Sequence, residues 1–291
     1  MIKIITVLKA FFYKFAIFKK QFMSKFFKQL FLKTLFFLSV IIIPVIAFSW
    51  GVTGHRVVSE IAKNHLTNKS KREIKKIIGN ESISSWANWP DFIKSDTTHI
   101  WDHTSTWHYV NLPSNLSKEE FIAALQQLPP ENLYSQIIAM KNQLADKTLS
   151  IEQRRTALIF LIHLIGDLHQ PLHVGRGEDL GGNRIKINWF DKSTNLHSLW
   201  DNALVDFQQY SYTEYASILD IADKNQITTW QNSSLEDWFY ETYQLANKVY
   251  ASVPTDLKFG YKYNFEFKKD LDNQLLKGGY RLAKVLNDAL K

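Results

Sequence analysis

Two histidine–aspartate pairs, each spaced four residues apart, lie within forty residues of one another. The first is His163 and Asp167, inside His163-Leu-Ile-Gly-Asp167-Leu-His169-Gln-Pro171-Leu-His173. The second is His197 and Asp201, in His197-Ser-Leu-Trp-Asp201. On a helix, that spacing points both side chains from one face. The segment around the first pair, ALIFLIHLIGDL, is apolar almost all round and is expected in the core. A buried charge without a partner is very costly, so the pair needs one. A divalent cation is one candidate. A buried His–Asp hydrogen bond, or a backbone carbonyl facing His163, is another. The chain has no cysteine, which excludes a disulfide framework, a thiolate metal site and a cysteine nucleophile. Any metal must then be held by His, Asp, Glu or backbone groups. The recurrence of the pair favours ligation by imidazole and carboxylate, of the kind zinc accepts.

These side chains need a frame, and the spacing of apolar residues supplies a helical one. Residues 151–169 and 130–146 read as long helices, and Pro171 ends the first, leaving His173 just past its end. Residues 53–66 place Val57, Val58, Ile61, Ala62 and Leu66 on one helical face. Residues 70–78 look helical, with Gly79-Asn80 as the stop. Residues 117–128 open on a capping box, Ser117-x-x-Glu120. Residues 184–190 alternate as a short strand after the tight turn Gly181-Gly182-Asn183, and roughly 265–290 repeats leucine at helical spacing. Alternating βαβ units and a Gly-rich phosphate loop are both missing from the sequence. The expected fold is a single, mainly α domain with a short β-hairpin or strand.

The formal charge of +7 is misleading. Residues 1–49 hold eight lysines, no acidic residue and eleven of the twenty phenylalanines. Residues 50–291 hold 27 Lys and Arg against 28 Asp and Glu, a net −1. The basic pI therefore belongs to a leader and implies no basic nucleic-acid face. The apolar run Leu35–Phe48 is short for a membrane span of ~20 residues. Lysines precede it and Ala47-Phe48-Ser49 follows it, so residues 1–49 are expected to be a cleaved signal peptide with an extended n-region. Met23 offers a second start, from which the leader has ordinary length. Cleavage after Ser49 would make Trp50 the first residue of a 50–291 catalytic domain, periplasmic or secreted and not stably held at a membrane.

Further motifs lie upstream: Trp50-Gly-Val-Thr-Gly-His55, Trp89-Pro90-Asp91 and Trp107-His108-Tyr109. Taken in order with HxxGDxxQPLH, GGN and LHxxWD, they make the chain from Trp50 to about Asp201 resemble the zinc-dependent S1/P1 nucleases, which share their fold with bacterial zinc phospholipases C. The resemblance implies three zinc ions. One would be held by Asp91, His108, His163 and Asp167. A second would be held by the free amine and carbonyl of Trp50, by His55, and by Asp167 as a bridge. The third would be held by His173, His197 and Asp201. Two cations that share a carboxylate sit ~3.5–4 Å apart and acidify water between them. The implied activity is cleavage of single-stranded RNA and DNA to products with 5′-phosphates, together with removal of 3′-phosphates from nucleotides.

The resemblance also implies roles around the metals. Lys94 stands where relatives often carry an arginine facing the phosphate, with a solvated surface lysine as the other reading. Tyr109 stands where relatives have an aromatic that stacks a base, and stacking tolerates any unpaired base. Asn111 replaces an Asp that often touches the base edge, so no base preference is implied. Asn183 would orient a ligand from behind. His65, His99, His103 and His169 read as bystanders, and Trp86 and Trp107 are candidates for a groove wall. The alternative activity is a zinc-dependent phospholipase C, whose last ligand pair is His-x-x-x-Glu. The His197/Asp201 pair and the GGN turn favour the nuclease. The expected partners are single-stranded nucleic acid and nucleotides as substrate. No protein partner is inferred, and the near-neutral charge predicts modest salt dependence.

Overall fold

The computed structural model describes residues 50–291, and the expectations for residues 1–49 lie outside them. Helices dominate, in the order α1 (Val52–Asn64), α2 (Asn68–Ile78), α3 (Lys118–Gln127), α4 (Leu133–Ala145), α5 (Ile151–Leu168), α6 (Tyr212–Leu219), α7 (Lys224–Asn232), α8 (Leu235–Ala251) and α9 (Tyr261–Ala289), with shorter turns between. The protein is therefore mainly α, as its periodicity predicts.

Local chemistry sets the boundaries. Ser117, Asn132 and Ser150 cap α3, α4 and α5, each with a reciprocal capping box. Gly79, at φ 72°, stops α2. The sequence reading passed over α6, α7 and α8. Their starts carry clear caps (Ser211, Asp223 and Ser234), and α8 buries Trp238, Phe239, Tyr243, Ala246 and Val249 at helical spacing, whereas α7 buries none of its residues.

Helix α5 is the axis of the domain. Every residue from Ala157 to Leu168 is buried. Helices α4, α9 and α1 pack against it, and α9 also lies along α1. A buried histidine–arginine contact pins the end of α5 to α9. His169 Nδ1 donates to Ile165 O, and its Nε2 accepts from Arg281 Nη1 at 3.1 Å. Arg281 is fully buried and reaches Glu241 of α8 at 2.8 Å. Burial, with Arg281 adjacent, holds His169 well below the ordinary histidine pKa, so it stays neutral and can accept.

The β content is small. Strands β1 (Val110–Asn111) and β2 (Val174–Gly175) pair in parallel. Strands β3 (Lys186–Trp189) and β4 (Lys192–Asn195) form the expected hairpin, and β5 (Lys258–Phe259) pairs with β3. Phe190 and Asp191 turn the hairpin, both at positive φ, which matches the twist of a two-residue loop. Among the described residues no helix is long and apolar enough to cross a membrane.

Candidate metal centre and substrate cleft

Five side chains from four parts of the chain meet at α5. His163 and Asp167 come from α5 itself, His55 from the start of α1, Asp91 from the turn Trp89–Phe92, and His108 from the 3-10 turn Asp102–His108. All are buried. Asp167 divides its carboxylate between them. Its Oδ1 lies 3.4 Å from His55 Nε2, while Oδ2 lies 2.9 Å from His108 Nδ1 and 3.1 Å from His163 Nε2. Asp91 Oδ1 sits 3.7 Å from His163 and 3.8 Å from His108. It also falls in a group with His55 and His163, so the two groups expected from sequence share residues and form one continuous cluster.

A second cluster adjoins the first. His173 follows α5 on a short 3-10 turn, Pro171–His173, as the proline predicts. His197 and Asp201 lie on a helical segment whose second part, Leu199–Ala203, is π-helical. His197 Nε2 lies 3.2 Å from Asp201 Oδ2, and His173 Nε2 lies 3.7 Å from Asp201 Oδ1. His173 Nδ1 is also 3.4 Å from Asp167 Oδ1, which joins the two clusters.

Backbone carbonyls set the imidazoles. His163 Nδ1 donates to Ala87 O, His173 Nδ1 to His108 O, and His197 Nδ1 to Gly181 O, at 2.6–2.7 Å. Each bond fixes a tautomer with Nε2 facing the carboxylates. Gly181 serves this through its backbone. It adopts φ 62°, and a Cβ there would lie 2.6 Å from Leu172 O. Gly166 is needed for a different reason: a Cβ on it would lie 2.4 Å from His55 Nδ1.

The electrostatics are those of concentrated donors. Burial would raise the Asp91 carboxyl, but His163, Lys94 and His108 outweigh it and hold it at about 2. Burial likewise opposes charge on Asp167, yet His163, His173 and His108 keep it well below the carboxylate range. Burial, then neighbouring positive charge, pushes His55 and His108 down to about 4. Burial also disfavours charge on His163 and His173, but Asp167 and the other carboxylate beside each, Asp91 or Asp201, overcome it and raise both.

This donor set fits cations. His173 Nε2 and Asp201 Oδ2 are buried and make no hydrogen bond. Orphaned buried polar atoms are costly, and a cation would satisfy them. Three groups of ligand atoms, each within 4.8 Å, could hold a metal: His55/Asp91/His163, His108/His163/Asp167 and His173/His197/Asp201. None of His65, His99, His103 and His169 belongs to these groups. His65 bonds to Asp220, His99 to Asp102, and His103 rests against Trp101 and Trp107.

The clusters face a cleft of about 290 Å³. Its lining includes His108, His173 and His197 together with Lys94, Tyr109, Asn111 and Asn183. Lys94 Nζ also touches Asp91 Oδ1 at 2.7 Å, so it is no free surface lysine. Tyr109 is 39% exposed, which sets it apart from the core. Asn183 donates to Leu180 O. Gln170, by contrast, donates directly to a cluster carboxylate, at Asp201 Oδ1. Sequence reasoning passed over Gln170, Ser105 and Leu180. Leu180 lines the cleft 51% exposed and at φ 56°, and nothing in its local sequence signals that. Trp86 and Trp107 do not line the cleft: Trp107 packs on Phe160, and Trp86 lies against Trp89 and Arg155.

The described residues thus form a helical domain with convergent His/Asp clusters, able to hold metal ions, on the floor of a cleft. The chain belongs to the S1/P1 nuclease family, whose model matches residues 50–291. It is 28% identical to Endonuclease 5 of Arabidopsis thaliana over 272 residues, covering 83% of this chain and 90% of that protein. Endonuclease 3 of the same organism is 29% identical over 266 residues, 83% of this chain and 89% of that one. Nuclease P1 of Penicillium citrinum is 26% identical over 265 residues, 82% and 97% of the two chains.

Proposed function

We propose that the chain is a trinuclear zinc nuclease that cleaves single-stranded RNA and DNA to products with 5′-phosphates, and that also removes 3′-phosphates from nucleotides. The observation that carries this reading is the division of the Asp167 carboxylate between His55 on one oxygen and His108 with His163 on the other. Family membership and the names of the relatives support the nuclease part.

Zinc suits a set of imidazoles and carboxylates without thiolates. Asp91, His108, His163 and Asp167 would hold one ion. The Trp50 amine and carbonyl, His55 and Asp167 would hold a second, and His173, His197 and Asp201 a third. Bound there, zinc supplies Lewis-acid polarisation of a phosphodiester and acidifies water, so no side-chain nucleophile is needed. Lys94 reaches the same cleft and offers a positive charge to the phosphoryl oxygens as negative charge builds on them. Tyr109 offers its exposed ring for stacking, worth about 1–3 kcal/mol per base, and Asn111 offers an amide to the base edge. A stacked base must be unpaired, which is the physical basis for single-strand preference. Asn183 shapes the loop at the cleft wall.

Residues 1–49 act in this reading as a signal peptide, cleaved after Ser49 to free the Trp50 amine in a periplasmic or secreted enzyme. The test is metal analysis of the processed protein, with single-stranded DNA, single-stranded RNA, duplex DNA and phosphatidylcholine assayed side by side. Three zinc ions, cleavage of single strands and 5′-phosphate ends are the expected result. Hydrolysis of phosphatidylcholine with inert nucleic acid would instead make the protein a phospholipase C.

A further inference from the structure

We propose that Gln170 is a positioning residue that fixes the orientation of the Asp201 carboxylate and so builds the third cation position. The inference rests on the metal-centre reading above. Gln170 is fully buried and stands between the end of α5 and the turn that carries His173. Its amide makes two contacts of 2.5 Å. Oε1 accepts from Leu172 N, and Nε2 donates to Asp201 Oδ1.

The orientation of the amide follows from its neighbours. A backbone N–H can only donate and an ionised carboxylate can only accept, so the oxygen must face Leu172 and the nitrogen must face Asp201. A neutral group that offers an acceptor at one end and a donor at the other is what this position requires. Methionine would offer no donor and only a weak acceptor, and an ionised glutamate would set a second carboxylate against Asp201.

The consequence falls on the other oxygen. Asp201 Oδ2 is buried and makes no hydrogen bond, and the same is true of His173 Nε2. His197 Nε2 is 3.2 Å from Oδ2. His173 and His197 are each held from behind by a backbone carbonyl, of His108 and Gly181 respectively. Gln170 does for the carboxylate what those carbonyls do for the imidazoles. It holds Oδ1, which also lies 3.7 Å from His173 Nε2, and leaves Oδ2 beside His197 without a hydrogen bond. The same amide ties the turn bearing His173 to the helical segment bearing Asp201, so one side chain sets the spacing of two ligands. Asp201 carries no comparable hydrogen bond on Oδ2, so without Gln170 the carboxylate loses the hydrogen bond that fixes its orientation.

Loss of such a partner typically weakens metal binding by about 10–100-fold. The test is zinc titration of the processed full protein against a competing chelator, with wild type, Gln170→Met and Gln170→Glu in parallel. The glutamate variant keeps an acceptor for Leu172 N–H and loses the N–H that Asp201 accepts, so it guards against a variant that merely breaks the turn. Expected are three ions in wild type, and a third ion bound about 10–100-fold more weakly in both variants while the other two are unchanged. Melting should separate variants from wild type more widely in zinc than in chelator, which a purely structural role would not produce. Three ions at wild-type affinity in a folded variant would overturn the proposal. Fewer than three ions in wild type would overturn the metal-centre reading instead.

Discussion

Asp167 Oδ1 lies 3.4 Å from His55 Nε2, although the two side chains come from helices that share no local sequence. The other oxygen of the same carboxylate faces His108 and His163. Asn in place of Asp167 would keep the shape and lose the charge that these imidazoles and any shared cation require. Asp167→Asn should therefore lower zinc content by one to two ions and cut nuclease turnover by more than the ~10–100-fold typical of an outer partner. Metal analysis beside single-strand cleavage checks this. Full zinc content with normal turnover would show that the carboxylate is not shared.

The Trp50 amine gives a second prediction. Trp50 is buried, and Gly51 N donates to Asp201 O at 2.6 Å, so the start of the described chain is tied to the second cluster. A backbone amide nitrogen is a poor zinc ligand, whereas a free α-amine, of pKa about 7.7–8.0, can deprotonate and bind. A chain carrying one methionine before Trp50 should hold one zinc fewer and lose most activity. Equal zinc content and rate for the two forms would remove Trp50 from the ligand set.

Lys94 should separate metal binding from rate. It touches Asp91 and lines the cleft, so its charge is close to both the cluster and the substrate. Lys94→Ala should lower kcat by about 100-fold, the scale of one lost donor to a developing oxyanion, with zinc content intact. Lys94→Arg should restore part of the rate, since the guanidinium adds a bidentate fork. A fall in zinc content with kcat per bound zinc preserved would assign Lys94 to holding Asp91 alone.

Gly166 tests packing at the cluster. A Cβ at this position would lie 2.4 Å from His55 Nδ1, well inside contact distance. Gly166→Ala should destabilise the protein by about 1–3 kcal/mol, as overpacking does, and displace His55. Thermal melting with zinc titration reads both effects. A melting temperature and zinc affinity equal to wild type would mean that α1 and α5 separate at little cost.

The ligand types, the i,i+4 pairs, the cap of α3, and the break at Pro171 were legible because each depends on residues within one or two helical turns. Helix α7 buries none of its residues, so no apolar stripe marks it, whereas α6 and α8 carry both caps and buried faces that the same local pattern contains.

The sequence by itself determined which residues have the chemistry to hold cations and that α5 must be buried to carry them. Only the tertiary structure decided which oxygen of Asp167 faces which histidine, that Lys94 rests on Asp91, and that Gln170 rather than Asn183 contacts Asp201. Helical spacing is a property of neighbours along the chain, whereas these contacts join elements far apart in sequence. The angle at which α1 and the His173 turn meet α5 depends on how the buried side chains between them pack, and no short stretch of sequence contains that information.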